Sequence, residues 1–132
     1  MPDPSNRYVF VYGTLRQGDV RDITRLHPAP QFVGRASVAG DLYDLGPYPG
    51  MRLGGEGRVQ GEVYAISEAL ERRLDEIEEV WPQQTGEYTK RKVFAQLDDA
   101  VGAQPIACLT YEIDPARTVG KPLIAHGDWL KR

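Results

Sequence analysis

The chain has 132 residues and a net charge of −3, from 16 basic and 19 acidic side chains. This length suits one domain with a real hydrophobic core, which we expect over residues 1–132 with a flexible segment at 1–6. No run of like charges indicates a nucleic-acid partner, and no apolar stretch approaches the roughly 20 residues of a membrane span, so we expect a cytoplasmic protein. Only one cysteine, Cys108, and two isolated histidines are present, which excludes a disulfide and gives no argument for a metal or cofactor.

The first predicted element is a strand that ends in a tight turn. Tyr8–Tyr12 is a run of β-branched and aromatic residues that stops at a glycine, which favours a strand buried on both faces. Gly13 permits backbone angles that would crowd a side chain. The successive N–H groups of Gly13, Thr14 and Leu15 would then lie unpaired at the end of the strand, where they could hold an anion. The turn is therefore a candidate substrate site, although many sheets contain a strand followed by Gly-Thr that binds nothing.

The next segments predict a short helix and a bent sheet. Residues 19–26 favour a short helix with Asp19 as its N-cap. Residues 31–45 are rich in strand formers and are interrupted by Gly34 and Gly40. This pattern predicts one bent strand or two joined strands, with bulges at the glycines that curve the sheet towards closure.

A loop over 46–50 and a glycine-rich stretch at 54–57 separate this region from another strand. The sequence Gly54-Gly55-Glu56-Gly57 superficially matches a phosphate-binding loop, but no lysine or helix start follows it in the required place. We therefore predict a hairpin turn there. Residues 58–66 alternate in the manner of a strand.

The most regular helical pattern covers residues 68–79, preceded by Ser67 as a good N-cap. Three apolar residues repeat at intervals of four and three and define its buried face: Leu70, Leu74 and Ile77. At about 100° per residue, Glu78 lies about 70° from the centre of that face, closer than the other acidic residues of the helix. We therefore expect Glu78 to be the helix carboxylate held closest to the core.

The last third of the chain predicts a loop, a hairpin and an irregular tail. Residues 80–86 contain a proline, a glycine and several polar side chains, which favour a loop. Residues 87–97 and 104–113 predict two strands that form a hairpin, joined by an acidic turn. The tail beyond them is irregular, and we expect Trp129 to pack rather than to bind.

Four motifs in this order resemble the γ-glutamylcyclotransferase-like family, especially small bacterial members of its γ-glutamylamine cyclotransferase and avirulence-induced-gene-like branch. The motifs are Tyr12-Gly13-Thr14-Leu15-Arg16, Gly61-Glu62-Val63-Tyr64, Leu74-Asp75-Glu76-Ile77-Glu78 and Gly86-Glu87-Tyr88. The resemblance implies a single-domain α+β fold: a small, mostly antiparallel, closed or nearly closed β-barrel with one main helix and a short helix.

The resemblance also implies a reaction. The α-amine of a γ-glutamyl group attacks its own γ-amide carbonyl and gives 5-oxoproline and a free amine, with Glu78 as general acid/base. Because an ordinary glutamate is a weak base, we expect partial burial to raise the pKa of Glu78 towards neutrality. The candidate substrate-binding residues are Tyr12, Gly13, Thr14, Leu15, Arg16, Tyr88 and Tyr111. The expected partner is a small γ-glutamyl compound, and no residue selects among γ-glutamyl amines, amino acids and peptides.

Alternatives stay open for both the function and the residues. The chain could be a non-catalytic module of the same fold that binds a γ-glutamyl or other small carboxylate ligand, or an interaction domain. Glu78 could be a surface residue paired with Arg73 or Lys90, Tyr88 and Tyr111 could be core residues, and Arg16 could be solvated. The presence of Glu78 favours the enzyme, because a binder gains nothing from a carboxylate beside an anionic ligand.

Overall fold

The computed structural model describes residues 7–78, 86–98 and 104–131. The five strands of this part are β1 (Arg7–Val11), β2 (Gln31–Asp44), β3 (Pro49–Ile66), β4 (Tyr88–Leu97) and β5 (Ile106–Ile113). Its α-helix is α1 (Glu68–Ile77), and three short 3₁₀ turns lie at Ile23–Arg25, Pro115–Thr118 and Trp129–Lys131. None of the helices in these ranges is long and apolar enough to span a membrane.

The five strands form a closed barrel in the order β1-β3-β2-β4-β5. Each strand pair is antiparallel except β1 with β5, which is parallel and joins the two ends of the sheet at Val9 and Leu109. The predicted fold, a mostly antiparallel closed barrel with one main helix, is therefore confirmed. The predicted hairpin of the last two strands is confirmed as well, with β4 beginning at Tyr88 and β5 at Ile106.

Strand β1 is buried on both faces, as predicted, and lies between two hydrophobic clusters. Phe10 belongs to a cluster with the barrel residue Val63. Its neighbour Val9 belongs to a second cluster with Leu70 and Leu74 of α1. Alternate side chains of a strand point to opposite faces, so β1 fixes the helix against the barrel and delivers the following turn to the boundary between them.

The predicted bends of β2 are confirmed, because its pairing with β3 shifts register next to Gly34 and Gly40. The glycine-rich stretch at 54–57, however, is not a hairpin turn. Leu53 and Arg58 pair with adjacent residues of β2, so the four residues between them bulge out of β3 without reversing the chain. The hairpin between β2 and β3 closes at residues 45–48 instead.

The predicted helix over residues 19–26 is wrong in its extent and its cap. Only Ile23–Arg25 form a 3₁₀ turn, and its N-cap is Asp22. The carboxylate of Asp19, predicted to cap the helix, instead accepts a hydrogen bond from the indole Nε1 of the distant residue Trp129 (2.9 Å). Trp129 itself is almost completely buried, which confirms that it packs.

Helix α1 begins as predicted, since the Ser67 hydroxyl accepts a hydrogen bond from the Leu70 amide (3.1 Å). It is shorter than predicted and ends at Ile77, with Glu78 as its C-cap. Most of the predicted loop at 80–86 and of the acidic turn near residue 100 falls outside the described residues.

Candidate active site

A pocket of about 120 Å³ opens where β1 ends, between the turn that follows it and the end of α1. The turn, the β2–β3 loop, the C-terminal end of α1 and the first residues of β4 all contribute to its wall. It contains all the site residues predicted from sequence except Arg16: Tyr12, Gly13, Thr14, Leu15, Glu78, Tyr88 and Tyr111. The structure thus brings together residues that are up to 99 positions apart.

The turn after β1 is tight, because the Arg16 amide donates a hydrogen bond to the Gly13 carbonyl (3.0 Å). Gly13 does not have a positive φ, so the expected need for unusual backbone angles is wrong. The need is for space, since a Cβ added at Gly13 would lie only 2.6 Å from Cγ of Pro49. A glycine here lets Pro49 close against the turn and form part of the pocket wall.

The turn that lines the pocket also contains three successive backbone amides. Among the described residues, the N–H groups of Gly13, Thr14 and Leu15 donate to no acceptor. The carbonyls of Thr14 and Leu15 accept hydrogen bonds from the amides of Arg21 and Ile23, both at 2.9 Å, which fixes the turn to the following segment. Consecutive N–H groups on a fixed turn are suited to bind an anion.

Three buried tyrosines surround the pocket, and each hydroxyl donates to a fixed acceptor. Tyr12 donates to the backbone carbonyl of Tyr111 (2.6 Å), and Tyr88 donates to the carbonyl of Pro49 (2.9 Å). The hydroxyl of Tyr111 donates to Oδ1 of Asp75 (2.7 Å). Tyr88 and Tyr111 are therefore at once buried residues and pocket walls, so the two interpretations of the sequence do not exclude each other.

The same tyrosines are held in their neutral form. Burial is the main cause that raises the pKa of Tyr12, Tyr88 and Tyr111 above the ordinary value, and the negative charge of Glu78 raises each of them further. A phenol with a raised pKa keeps its proton at neutral pH. Glu78 consequently lies beside three uncharged hydroxyl groups.

Glu78 lines the pocket, but it is not the most buried carboxylate of α1, and that prediction is wrong. Glu71 and Asp75 are only 7% and 9% exposed, whereas Glu78 is half-buried. The reason is the side chain of Lys90 on β4, whose Nζ donates to Glu71 (2.6 Å) and Asp75 (2.9 Å). The prediction from helical phase measured each carboxylate only against the apolar face of α1. It did not include strand β4, which covers another side of the helix.

Arg16 does not line the pocket. Its side chain is 5% exposed, and its Nε and Nη1 atoms donate to Glu62 and Asp128, each at 2.7 Å. Arg16 therefore holds the turn from the side away from the pocket, as part of a buried ion-pair network. The sequence offered no sign of this network, because Asp128 lies 112 residues from Arg16.

Sequence reasoning also missed Arg21, Tyr48 and Glu87, which line the pocket. The hydroxyl of Tyr48 donates to Oε2 of Glu87 (2.5 Å), and Nη1 of Arg117 lies 3.6 Å from the same oxygen. Glu87 could have been identified as a site residue from the sequence, because it lies inside the Gly-Glu-Tyr motif.

The described residues contain no group of three or more His, Cys, Asp or Glu side chains that could hold a metal ion. Burial raises the pKa of Cys108 to about 12, so its thiol keeps its proton at neutral pH. Cys108 belongs to the barrel cluster that contains Phe10 and is not part of the pocket wall.

A family model described as gamma-glutamyl cyclotransferase, AIG2-like, matches residues 9–131. The gamma-glutamylcyclotransferase family protein YtfP of Escherichia coli K12 is 34% identical over 127 residues, which cover 94% of this chain and 96% of that protein. The gamma-L-glutamyl-butirosin B gamma-glutamyl cyclotransferase of Niallia circulans is 43% identical over 72 residues, or 54% of this chain and 45% of that protein. This chain thus matches less than half the length of the Niallia enzyme. The crystal structure of an AIG2-like protein from Mus musculus has a TM-score of 0.73 at 25% identity, covering 94% and 88% of the two chains.

Proposed function

The chain belongs to the gamma-glutamyl cyclotransferase, AIG2-like family, and on this basis we propose that it converts a γ-glutamyl amine, amino acid or peptide into 5-oxoproline and a free amine. One observation carries the proposal. Glu78 lines the same pocket as residues 13–15, whose amides donate to no acceptor in the described part of the chain, so one site can offer both a proton-transfer group and an anion-binding group.

The turn amides would bind the α-carboxylate of the γ-glutamyl group. The pocket holds about 120 Å³, well below the roughly 300–1,000 Å³ of sites that enclose drug-sized ligands. It therefore suits the γ-glutamyl group better than a whole substrate. Holding this group folded, with its amine against its own γ-carbonyl carbon, supplies the near-attack geometry that accelerates a ring closure.

Glu78 would transfer the proton. Its carboxylate accepts a proton from the α-ammonium group, and the freed amine forms a bond to the γ-carbonyl carbon. The bond between that carbon and the leaving nitrogen then breaks, while Glu78 returns the proton to the leaving amine. The second proton, which the ring nitrogen carries after the attack, passes through the same carboxylate to the released amine, which leaves as an ammonium ion. No water is consumed, and the atoms of the substrate are divided between 5-oxoproline and the released amine.

The tyrosines support this assignment by remaining neutral. Because the pKa values of Tyr12, Tyr88 and Tyr111 are raised above the ordinary value, none of the three can act as a base at neutral pH. All three line the same pocket as Glu78, so Glu78 shares the pocket wall with neutral groups.

The test is an assay of 5-oxoproline release from a panel of γ-glutamyl amino acids, amines and peptides. We expect release from at least one class of compound, and we expect the α-methyl ester of that substrate to react far more slowly because it lacks the carboxylate. Equal turnover of ester and free acid would refute carboxylate binding by the turn. Binding of the panel compounds without any 5-oxoproline release would make the chain a non-catalytic binding module.

A further inference from the structure

A second cavity, of about 430 Å³, adjoins the pocket. We call it the side groove, and its walls in the described part of the chain are Val20, Arg21, Asp22, Arg25, Leu26 and Ile77. Arg21 and Ile77 line both cavities. The pocket is small for a whole substrate, and the side groove supplies additional space directly beside it.

The wall of the side groove is fixed to the turn that lines the pocket. The amides of Arg21 and Ile23 donate to the carbonyls of Thr14 and Leu15, and the Ile23 side chain is completely buried. This connection holds the groove at a constant position relative to the proposed carboxylate site. A γ-glutamyl group bound in the pocket could therefore extend its leaving group across Arg21 into a preformed surface.

The side groove combines an apolar surface with basic charge. Val20 is 78% exposed although it is a large apolar residue, and Leu26 and Ile77 are half-buried beside it. The two arginines add positive charge, and within the described residues neither guanidinium donates a hydrogen bond. An apolar ligand with an anionic end would match both properties.

Asp22 is the acidic residue in the wall of the side groove, and local donors occupy its carboxylate oxygens. Oδ1 of Asp22 accepts hydrogen bonds from the amide (2.9 Å) and the hydroxyl (2.6 Å) of Thr24, and Oδ2 accepts one from the Gly18 amide (2.9 Å). Asp22 thus acts as the cap of the local turn. The donors of Arg21 and Arg25 are the polar groups of the groove that can recognise a carboxylate.

We infer that the side groove binds the leaving half of the substrate and favours γ-glutamyl conjugates of apolar amino acids over conjugates of simple or cationic amines. This inference rests on the proposed function. An apolar amino acid places its side chain against Val20 and Leu26 and its carboxylate near the arginines. A simple amine lacks the carboxylate, and a cationic amine is repelled by the same charges.

The experiment compares two substrates that differ only in one carboxylate: γ-glutamyl-leucine and γ-glutamyl-isopentylamine. Because exposed ion pairs contribute modestly, we expect kcat/KM for the leucine conjugate to be about three- to tenfold higher. The preference should fall towards one in Arg25→Gln, and it should persist in Arg52→Gln, which removes an exposed arginine outside both cavities. γ-Glutamyl-1,5-diaminopentane should be the slowest of the three.

Equal kcat/KM for the leucine and isopentylamine conjugates, with clear release of 5-oxoproline from both, would overturn the inference and leave the proposed function intact. A preference that remains unchanged in Arg25→Gln would also overturn it. Absence of 5-oxoproline from every γ-glutamyl compound would overturn the proposed function itself. The two failures are therefore distinguishable in one set of assays.

Discussion

Helix α1 carries acidic side chains in two contrasting environments. Glu71 and Asp75 are buried and accept hydrogen bonds from Lys90, and Glu71 also pairs with Arg7 (2.8 Å). We call these four residues the helix ion cluster. Glu78, at the end of the same helix, lies instead at the pocket beside buried tyrosines that remain neutral.

The proposed function assigns different roles to these carboxylates: those of the helix ion cluster stabilise the fold, and Glu78 transfers a proton. Glu71 and Asp75 already accept hydrogen bonds from fixed cations, and neither lines the pocket in the described part of the chain. The two environments also meet at Tyr111, because its hydroxyl donates to Asp75 while its side chain lines the pocket. Substitutions in the helix ion cluster and in the pocket can therefore test whether the two sets of carboxylates have separate roles.

The largest expected effect is that of Glu78→Gln on activity. Removing a general acid/base lowers turnover by about 10²- to 10⁴-fold, measured as 5-oxoproline release from the best substrate. Stability should not fall, because Glu78 is the C-cap of α1 and a negative charge is unfavourable at the C-terminal end of a helix. Glu76→Gln, which changes an exposed residue of the same helix, is the matched control for the thermal midpoint. A fully active Glu78→Gln variant would end the assignment.

The next largest effect is that of Arg16→Met on stability. Arg16 lies in the same motif as the pocket turn, but its buried guanidinium holds Glu62 and Asp128. Leaving buried carboxylates without their partner typically costs about 3–5 kcal/mol, which urea denaturation would detect. Arg52→Met, at an exposed position, should change the free energy of unfolding by less than about 0.5 kcal/mol. Similar values for the two variants would show that the network does not stabilise the fold.

The sequence was sufficient for most strands and for α1, because their signals are local. A buried apolar run predicted β1, alternation predicted the second half of β3, and Ser67 marked the start of the helix. The errors arose where a distant partner decides the outcome. Glycines at 54–57 suit a turn or a bulge equally well, and only the pairing of β3 with β2 distinguishes them. Asp19 is not the predicted cap, and its carboxylate accepts hydrogen bonds from the distant Trp129 and from the next amide, that of Val20.

The same reasoning explains which parts of the site could be predicted. The motifs identified the turn and Glu78, and the closed barrel brings them into one pocket. A motif does not state which side of a turn each residue faces, so Arg16 was placed at the pocket although it points to Asp128. The side groove was not predicted, because the surface at Arg21 and Arg25 depends on how the segment after the turn folds back.

A smaller effect is expected for Lys90→Met, which leaves Glu71 and Asp75 without their shared partner. We expect the free energy of unfolding to fall by about 1.5–3 kcal/mol, the range for hydrogen bonds to charged groups, while 5-oxoproline release per folded molecule changes less than about threefold. Lys92→Met is the matched control on the exposed face of β4. Loss of activity as large as in Glu78→Gln would contradict the division between cluster and pocket.

The pH dependence of this variant sharpens the prediction. Burial alone would lower the pKa of Lys90, but its hydrogen bonds to Glu71 and Asp75 outweigh burial and raise the pKa above the ordinary 10.5. A raised pKa in the folded protein contributes stability that is complete below the unfolded value and is lost as pH rises through the folded value. The difference in stability between wild type and Lys90→Met should therefore be constant from about pH 7 to 9 and shrink above about pH 10.5. A difference that stays constant at still higher pH would contradict an ionic origin.

The smallest effect, and the most direct test of the boundary, is expected for Tyr111→Phe. The substitution removes the hydroxyl that donates to Asp75 (2.7 Å) but keeps the ring at the pocket wall and the backbone carbonyl that accepts from Tyr12. Because Lys90 still pairs with Asp75, we expect a loss of only about 1–2 kcal/mol in the free energy of unfolding. The matched variant Tyr88→Phe removes a hydroxyl that donates to a neutral carbonyl and should cost about 0.5–1.5 kcal/mol.

Activity should fall less than about tenfold in both variants, because Glu78 and the turn amides are untouched. If Tyr111→Phe instead loses as much activity as Glu78→Gln, the Tyr111 hydroxyl takes part in proton transfer, and Asp75 belongs to the active site rather than to the helix ion cluster alone.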